Sequence, residues 1–233
     1  AARTRWRHGH AGASHGVRAA LRALRGDDAR PLFDALLDPA GMEVVRTLPD
    51  RENRRFAGPD GTRYFMKVYP PGRRRSSPAM EERRGIDRLQ RAGVPVCREE
   101  AYGEDVERGS FVVVRGCPGE PLDDLLRRGI GADERRVLAV AVARVFRRMR
   151  AARLRHRDAY PCHVFLARRD GGAAPGFELR LIDLTRAGRA PRPRERWFVK
   201  DAAQLWHGLP RPPVTRTDAV RWLRAYFAIP RLD

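Results

Sequence analysis

Read for hydrophobic and polar positions alone, the chain changes its period several times. Short apolar-rich runs at Met42–Leu48 and Tyr64–Tyr69 predict strands, the second introduced by the turn-like GPDG of Gly58–Gly61. SFVVV is the clearest later strand, ending at RGCPGEPL, where Gly116, Pro118 and Gly119 force a turn before a short helix from Pro121. Val164–Ala167 and Glu178–Ile182 predict two more, joined across DGGAAPG. Helical spacing appears elsewhere. Pro78–Arg91 is a helix with Ser77 fit to cap it, Pro78 at its first position and Gly93 at its exit. Between Asp133 and Leu154, Leu138, Val142, Val145, Met149 and Ala152 recur on one face, with Arg135, Arg136, Arg144, Arg147 and Arg148 on the other. Lys200–His207 and Asp218–Phe227 predict two final helices.

The order implies an α+β chain. Residues 1–30 read as a basic tail with a short helix over Val17–Leu24, 31–115 as a strand-rich portion, and 116–233 as a mostly helical portion. A cleft between the last two is the natural place for a pocket. A length of 233 residues and a hydrophobic fraction of 42% suffice for one sizeable core or two small ones.

Composition changes the picture in three places. No apolar run approaches a membrane span, and AARTRWRHGHAGASHG lacks the apolar segment of a secretory signal, so neither a transmembrane helix nor export is expected. Cys97, Cys117 and Cys162 have no metal-site spacing and leave an odd thiol if any two pair, which favours a reducing compartment. The net charge of +19 suits either a general arginine bias or an anionic partner surface, since all but two of 48 lysines and arginines are arginine, spread along the chain. Against that background, a lysine inside YFMKVY answers a need that a planar guanidinium does not meet.

Lys67 either runs its stem along apolar surface with its ammonium in water or pairs with an acid. The next helix offers one: Ala79, Glu82, Ile86 and Leu89 share a face, whereas Glu81 points elsewhere. Asp158, in the loop HRDAYPCHVFL, fits a turn residue, a salt bridge to Arg157 or a reactive carboxylate. His163 and Asp183 have equally plain structural readings, one as a loop histidine and the other as a cap at a strand end. Their order is more telling than any one of them. A strand lysine, a glutamate on the next helix, an HRD loop and an aspartate ending a later strand form the protein-kinase arrangement for phosphoryl transfer.

HRDAYPCHVFL, LRLIDLTRAGR and RWFVKDAAQLW, with YFMKVY and EERRGIDRLQRAGVPV before them, resemble the lipopolysaccharide kinase family over roughly Met42–Leu209. That family includes bacterial enzymes that phosphorylate inner-core heptose or 3-deoxy-manno-octulosonic acid (Kdo). The resemblance implies a protein-kinase-like two-lobed α+β fold, with a small antiparallel-sheet N-lobe over 31–115 and a helical C-lobe over 116–233 carrying the catalytic loop. It implies ATP and Mg²⁺, with Lys67 on the phosphates, Glu82 paired with it, Asp158 as catalytic base and Asp183 on the metal. His163, five residues after Asp158, either coordinates a second metal or holds the loop through a hydrogen bond.

The sequence departs from ordinary protein kinases as well. LPDRENRRFAGPDG stands where a glycine-rich loop would be, leaving phosphate contacts to backbone amides near Asn53–Phe56 and to Arg54 or Arg55. Adenine contacts fall to the backbone of Val114, Arg115 and Gly116. Leu and Thr follow Asp183 and no APE motif is found, so a peptide platform is not expected and a sugar hydroxyl fits better. Arg186, Arg189, Arg194 and Arg196 are available to an anionic acceptor or remain surface charge. The expected function is ATP-dependent O-phosphorylation of heptose or Kdo in lipopolysaccharide core or a related envelope glycan. Alternatives are a small-metabolite or protein kinase and a nucleotide-binding pseudokinase. The expected partners are a saccharide or glycolipid acceptor and an anionic membrane surface at the inner face of the cytoplasmic membrane, with the protein otherwise cytoplasmic. Nucleic acid is disfavoured because no stacking platform accompanies the charge, and no required protein partner is inferred.

Overall fold

A computed structural model describes residues 10–26, 29–72, 76–169 and 176–229. Six strands lead the chain: β1 (His10–Ala13), β2 (Glu43–Leu48), β3 (Arg51–Ala57), β4 (Arg63–Tyr69), β5 (Glu99–Asp105) and β6 (Gly109–Arg115). They form one antiparallel sheet in the order β1-β5-β6-β4-β3-β2. Helices α1 (His15–Arg25) and α2 (Leu32–Leu37) cover one face, where Val17, Phe33 and Leu36 pack with Phe56, Tyr64, Met66 and Phe111. Helix α3 (Pro78–Arg91) brings Ala79 to the other face, against Tyr69, Tyr102 and Val112. Ser77 Oγ accepts from Met80 N at 3.0 Å, and Gly93 exits at φ 68°, so the cap signals act as the sequence predicts. Gly103 has a steric reason to be glycine: a Cβ there would lie 2.4 Å from the Phe111 ring.

Three of these strands escape sequence reading, as does helix α2. β3 places arginine at an inward position, Arg54, which is only 7% exposed. β5 buries Glu100 and Glu104, satisfied by Arg115 Nε at 2.8 Å and Ser77 Oγ at 3.0 Å, so its core side reads as acidic. β1 is a four-residue edge strand, HAGA, with almost no apolar content.

The remainder is mostly helical: α4 (Leu122–Arg128), α5 (Ala132–Ala151), α6 (Glu195–Gly208) and α7 (Arg216–Phe227). Short strands β7 (Glu120–Pro121), β9 (Val164–Arg168) and β10 (Phe177–Leu181) form one small sheet; β8 (Leu154–Arg155) and β11 (Gly188–Arg189) form another. Most of DGGAAPG, like the first nine residues, lies outside the described residues. Leu138, Val142, Val145 and Met149 are buried along α5 as their spacing predicts. The helix stops at Ala151, three residues before the predicted Leu154. Arg153 turns left-handed (φ 58°) and frees Leu154 and Arg155 to pair with Arg189 and Gly188. Two units result, residues 1–86 with 97–116 and residues 87–96 with 117–233. Among the described residues, no helix is long and apolar enough to cross a membrane.

Candidate active site

In the first unit, alternation along β4 sends Lys67 and Tyr69 to the face that α3 covers. Lys67 Nζ donates to both oxygens of Glu82, at 2.8 and 3.0 Å, and Tyr69 Oη donates to Oε2 at 3.1 Å. Glu82 is 3% exposed, whereas Glu81 on the neighbouring face is half-exposed. A carboxylate this deep stays ionised only with such partners.

Other residues expected to meet nucleotide are otherwise engaged. Asn53–Phe56 belong to β3, which pairs with β2 on one side and β4 on the other, so the ladder uses their amides instead of leaving them to phosphate. The Arg54 guanidinium is buried against Glu52 and the Leu37 carbonyl, and Arg55 forms a two-pronged pair with Glu43 at 2.6 and 2.7 Å. At the end of β6, Arg115 N donates to Arg98 O at 2.9 Å and Gly116 N to Arg63 O at 2.7 Å. Those two amides are therefore spent, and Val114 sits in the ladder opposite Phe65 and Glu99.

In the second unit the HRD loop is held from beneath by groups that the sequence reading did not single out. Asp201 on α6 accepts the amides of His156 and Arg157, at 2.7 and 2.9 Å. One turn later Gln204 accepts from Ala159 N at 3.1 Å and donates to Arg157 O at 2.8 Å. The signal was present: Phe198, Asp201 and Leu205 share the buried stripe of α6, and a carboxylate on such a stripe needs donors. Burial pushes the Asp201 carboxyl up, against the pull of the two amides.

His156 is fully buried and uses both ring nitrogens. Nε2 donates to Ile182 O at 3.0 Å and Nδ1 accepts from Asp158 N at 3.3 Å, which is one neutral tautomer, fully satisfied. Burial first, then the charge of His163, lowers its pKa to about 4. His156 is thus a neutral strut. The loop is also tied back from the other side, since Ile182 N donates to His163 O at 3.1 Å.

Both sides of that tie end on a carboxylate. Asp158 and Asp183 are 18% and 26% exposed at their side chains, and Asp183 (φ 56°) and Arg157 (φ 75°) hold left-handed backbone that ordinary loops avoid. His163 touches both segments: Nδ1 donates to Asp158 O at 2.7 Å, and Nε2 faces Asp183 Oδ2 at 3.7 Å. With Nδ1 donating to the Asp158 carbonyl, Nε2 is the ring nitrogen left facing Asp183. Arg186 Nη1 donates to Asp158 Oδ1 at 2.6 Å.

A magnesium ion fits this donor set in a limited way. Among the described residues no three His, Cys, Asp or Glu side chains converge as a metal cage. Mg²⁺ with a phosphorylated substrate needs only one or two carboxylates, the remaining positions going to phosphates and water. Asp183 meets that need; an imidazole nitrogen is a softer, poorer ligand for it.

The chain is similar to known proteins. The model of the Lipopolysaccharide kinase (Kdo/WaaP) family matches residues 72–226. The lipopolysaccharide core heptose(I) kinase WaaP of Pseudomonas aeruginosa is 32% identical over 224 residues, covering 87% of this chain and 83% of that protein. WaaP of Escherichia coli is 30% identical over 212 residues, 82% and 80% of the two chains. A solved structure of WaaP in complex with acyl carrier protein superposes with a TM-score of 0.73 at 31% identity, covering 95% of this chain and 90% of that one. The α+β, two-lobed protein-kinase-like fold is therefore shared. One expectation is overturned: with a WaaP solved as a complex with a carrier protein, the inference that no protein partner is required does not stand.

Proposed function

The chain belongs to the Lipopolysaccharide kinase (Kdo/WaaP) family, and from that premise we propose how its residues divide the work of phosphorylating a sugar. It is an ATP-dependent kinase acting on a hydroxyl of a lipopolysaccharide core sugar. Inner-core heptose is the acceptor we favour, because the WaaP relatives are core heptose(I) kinases, with Kdo as the alternative.

Asp158 orients the acceptor hydroxyl and takes its proton as the oxygen bonds to the γ-phosphorus, the electron pair of the broken bond remaining on ADP. Lys67, fixed by Glu82, neutralises phosphate charge. Asp183 holds Mg²⁺, which when bound supplies charge stabilisation on the phosphate oxygens. His163 holds the Asp158 carbonyl through Nδ1 and, through its own backbone carbonyl, the Ile182 amide beside Asp183. The observation that supports this division most is the doubly anchored loop: Asp201 fixes the backbone before Asp158 while His156 and His163 fix it to the segment that ends at Asp183.

We infer that the enzyme works at the inner membrane facing the cytoplasm, a reading supported by the family and by the +19 charge, which favours electrostatic contact with an anionic leaflet. We infer also that the chain associates with an acyl carrier protein, as the solved WaaP does. An apolar cavity of about 520 Å³, lined among others by Leu138, Val142, Phe198, Trp206 and Trp222, supports a partner that presents an aliphatic chain. Transfer of labelled γ-phosphate to heptose-bearing and Kdo-bearing core acceptors, with and without added acyl carrier protein, tests both readings. Phosphate appearing on a heptose hydroxyl supports the first, and recovery unchanged by the carrier protein counts against the second.

A further inference from the structure

Around Asp158 the second unit gathers more guanidinium groups than acids to balance them. Arg186 reaches Asp158 Oδ1 at 2.6 Å from a side chain 53% exposed. Its position follows from the strand pairing: Gly188 and Arg189 lie opposite Arg155 and Leu154, so the segment after Asp183 runs beside the entry to the HRD loop. Arg155 lies over the Trp197 ring at 3.9 Å, and Arg196 and Lys200 approach the same ring at 4.8 and 5.1 Å. Two atoms of Arg155, Nε and Nη1, are buried with no hydrogen-bond partner among the described residues. Burial and then the charge of Arg157 lower the Arg155 pKa, Asp201 opposes them, and Arg186 and Arg196 add to the lowering, so Arg155 lies in the field of the other three guanidiniums. Asp201 is already occupied by two backbone amides. A cluster like this repels itself unless an anion joins it.

We propose that Arg186, backed by Arg155, Arg157 and Arg196, forms a subsite for a carboxylate or phosphate that the acceptor carries near its reacting hydroxyl. Arg186 pairs with Asp158 in this structure and turns to the acceptor's anion on binding, which releases Oδ1 to the hydroxyl. It is a positioning and specificity residue, since a guanidinium keeps its protons and cannot act as the base. The inference rests on the reading of Asp158 given above and deepens it. Of the four arginines that follow Asp183, the structure brings Arg186 and Arg196 into this group.

The test compares an acidic core acceptor with the same acceptor as its methyl ester, using wild type and Arg186→Gln with ATP. Wild type should favour the acid by about 30-fold in acceptor kcat/KM, mostly through KM, as charge-assisted hydrogen bonds allow. In Arg186→Gln the preference should fall below about threefold while KM for ATP moves less than about twofold. A preference that survives the substitution overturns the proposal, as does an effect confined to KM for ATP, which would assign the guanidinium to the nucleotide. Failure of the base reading shows separately, as an Asp158→Asn enzyme that still turns over. Should neither acceptor be phosphorylated, free Kdo and its methyl ester are titrated against tryptophan fluorescence, with Trp197→Phe as the blank. Binding of the acid about tenfold weaker in Arg186→Gln is expected; equal affinity overturns the subsite.

Discussion

His163 Nε2 and Asp183 Oδ2 face each other at 3.7 Å, while the other nitrogen of the same ring is spent on the Asp158 carbonyl. That division of one imidazole distinguishes the two roles open to it. His163→Ala should lower kcat about 10- to 100-fold, as losses of supporting partners around a site typically do, and raise the Mg²⁺ concentration needed for half-maximal activity only slightly. Steady-state rates across a Mg²⁺ titration provide the check. A metal requirement raised by orders of magnitude would instead make His163 a ligand.

The pair beneath the phosphate lysine gives a stability prediction. Removing one partner of a buried ion pair leaves the other without its counter-charge, here with the Tyr69 hydroxyl still donating to Glu82, so Lys67→Met should cost about 3 to 5 kcal/mol, whereas Lys67→Met with Glu82→Leu should recover most of that. Activity should be lost in both. Urea unfolding of the single and double variants measures the difference, and a double variant no more stable than the single would mean that Glu82 is satisfied by other groups.

Asp201 carries two amides of the HRD loop, and Asp201→Asn replaces a carboxylate acceptor with an amide that can turn only one oxygen to them. The expected loss is about 2 to 3 kcal/mol in unfolding free energy, together with a lower kcat at nearly unchanged acceptor KM. Chemical denaturation and steady-state kinetics on the same preparation separate the two effects.

His156 makes stability depend on pH. Unfolded, its imidazole binds a proton below pH 6.5; folded, burial delays protonation to about 4. Stability is therefore present above pH 6.5 and lost as the pH falls through that window, by up to about 3 kcal/mol. Unfolding free energies measured from pH 7 to 4.5 should show this slope in wild type and a smaller one in His156→Gln.

How far the sequence reached differs between the two units for physical reasons. Spacing was enough to separate Glu82 from Glu81, because a helix face is periodic and the burial follows it. It missed β3 and β5, whose inward positions carry Arg54, Glu100 and Glu104; a charged side chain satisfied by Glu52 and the Leu37 carbonyl, by Arg115 or by Ser77 hides a core position from a hydrophobic pattern. Asp201 stood within a quoted motif and on a legible stripe, yet its role lies 45 residues from the amide it accepts. The amides expected to contact phosphate belong to a strand paired on both sides, and at Arg115 and Gly116 the backbone donors are engaged as well. Arg186 was one of four arginines named together after Asp183 until strand pairing set it beside Asp158.

The most direct measurement is transfer of labelled γ-phosphate to a lipopolysaccharide core acceptor by wild type and Asp158→Asn, alongside the thermal unfolding of each. Phosphate incorporation about 10² to 10⁴ times slower in the variant, at an unfolding temperature within a few degrees of wild type, is the predicted result. Incorporation at the wild-type rate would contradict it and remove Asp158 from the chemistry.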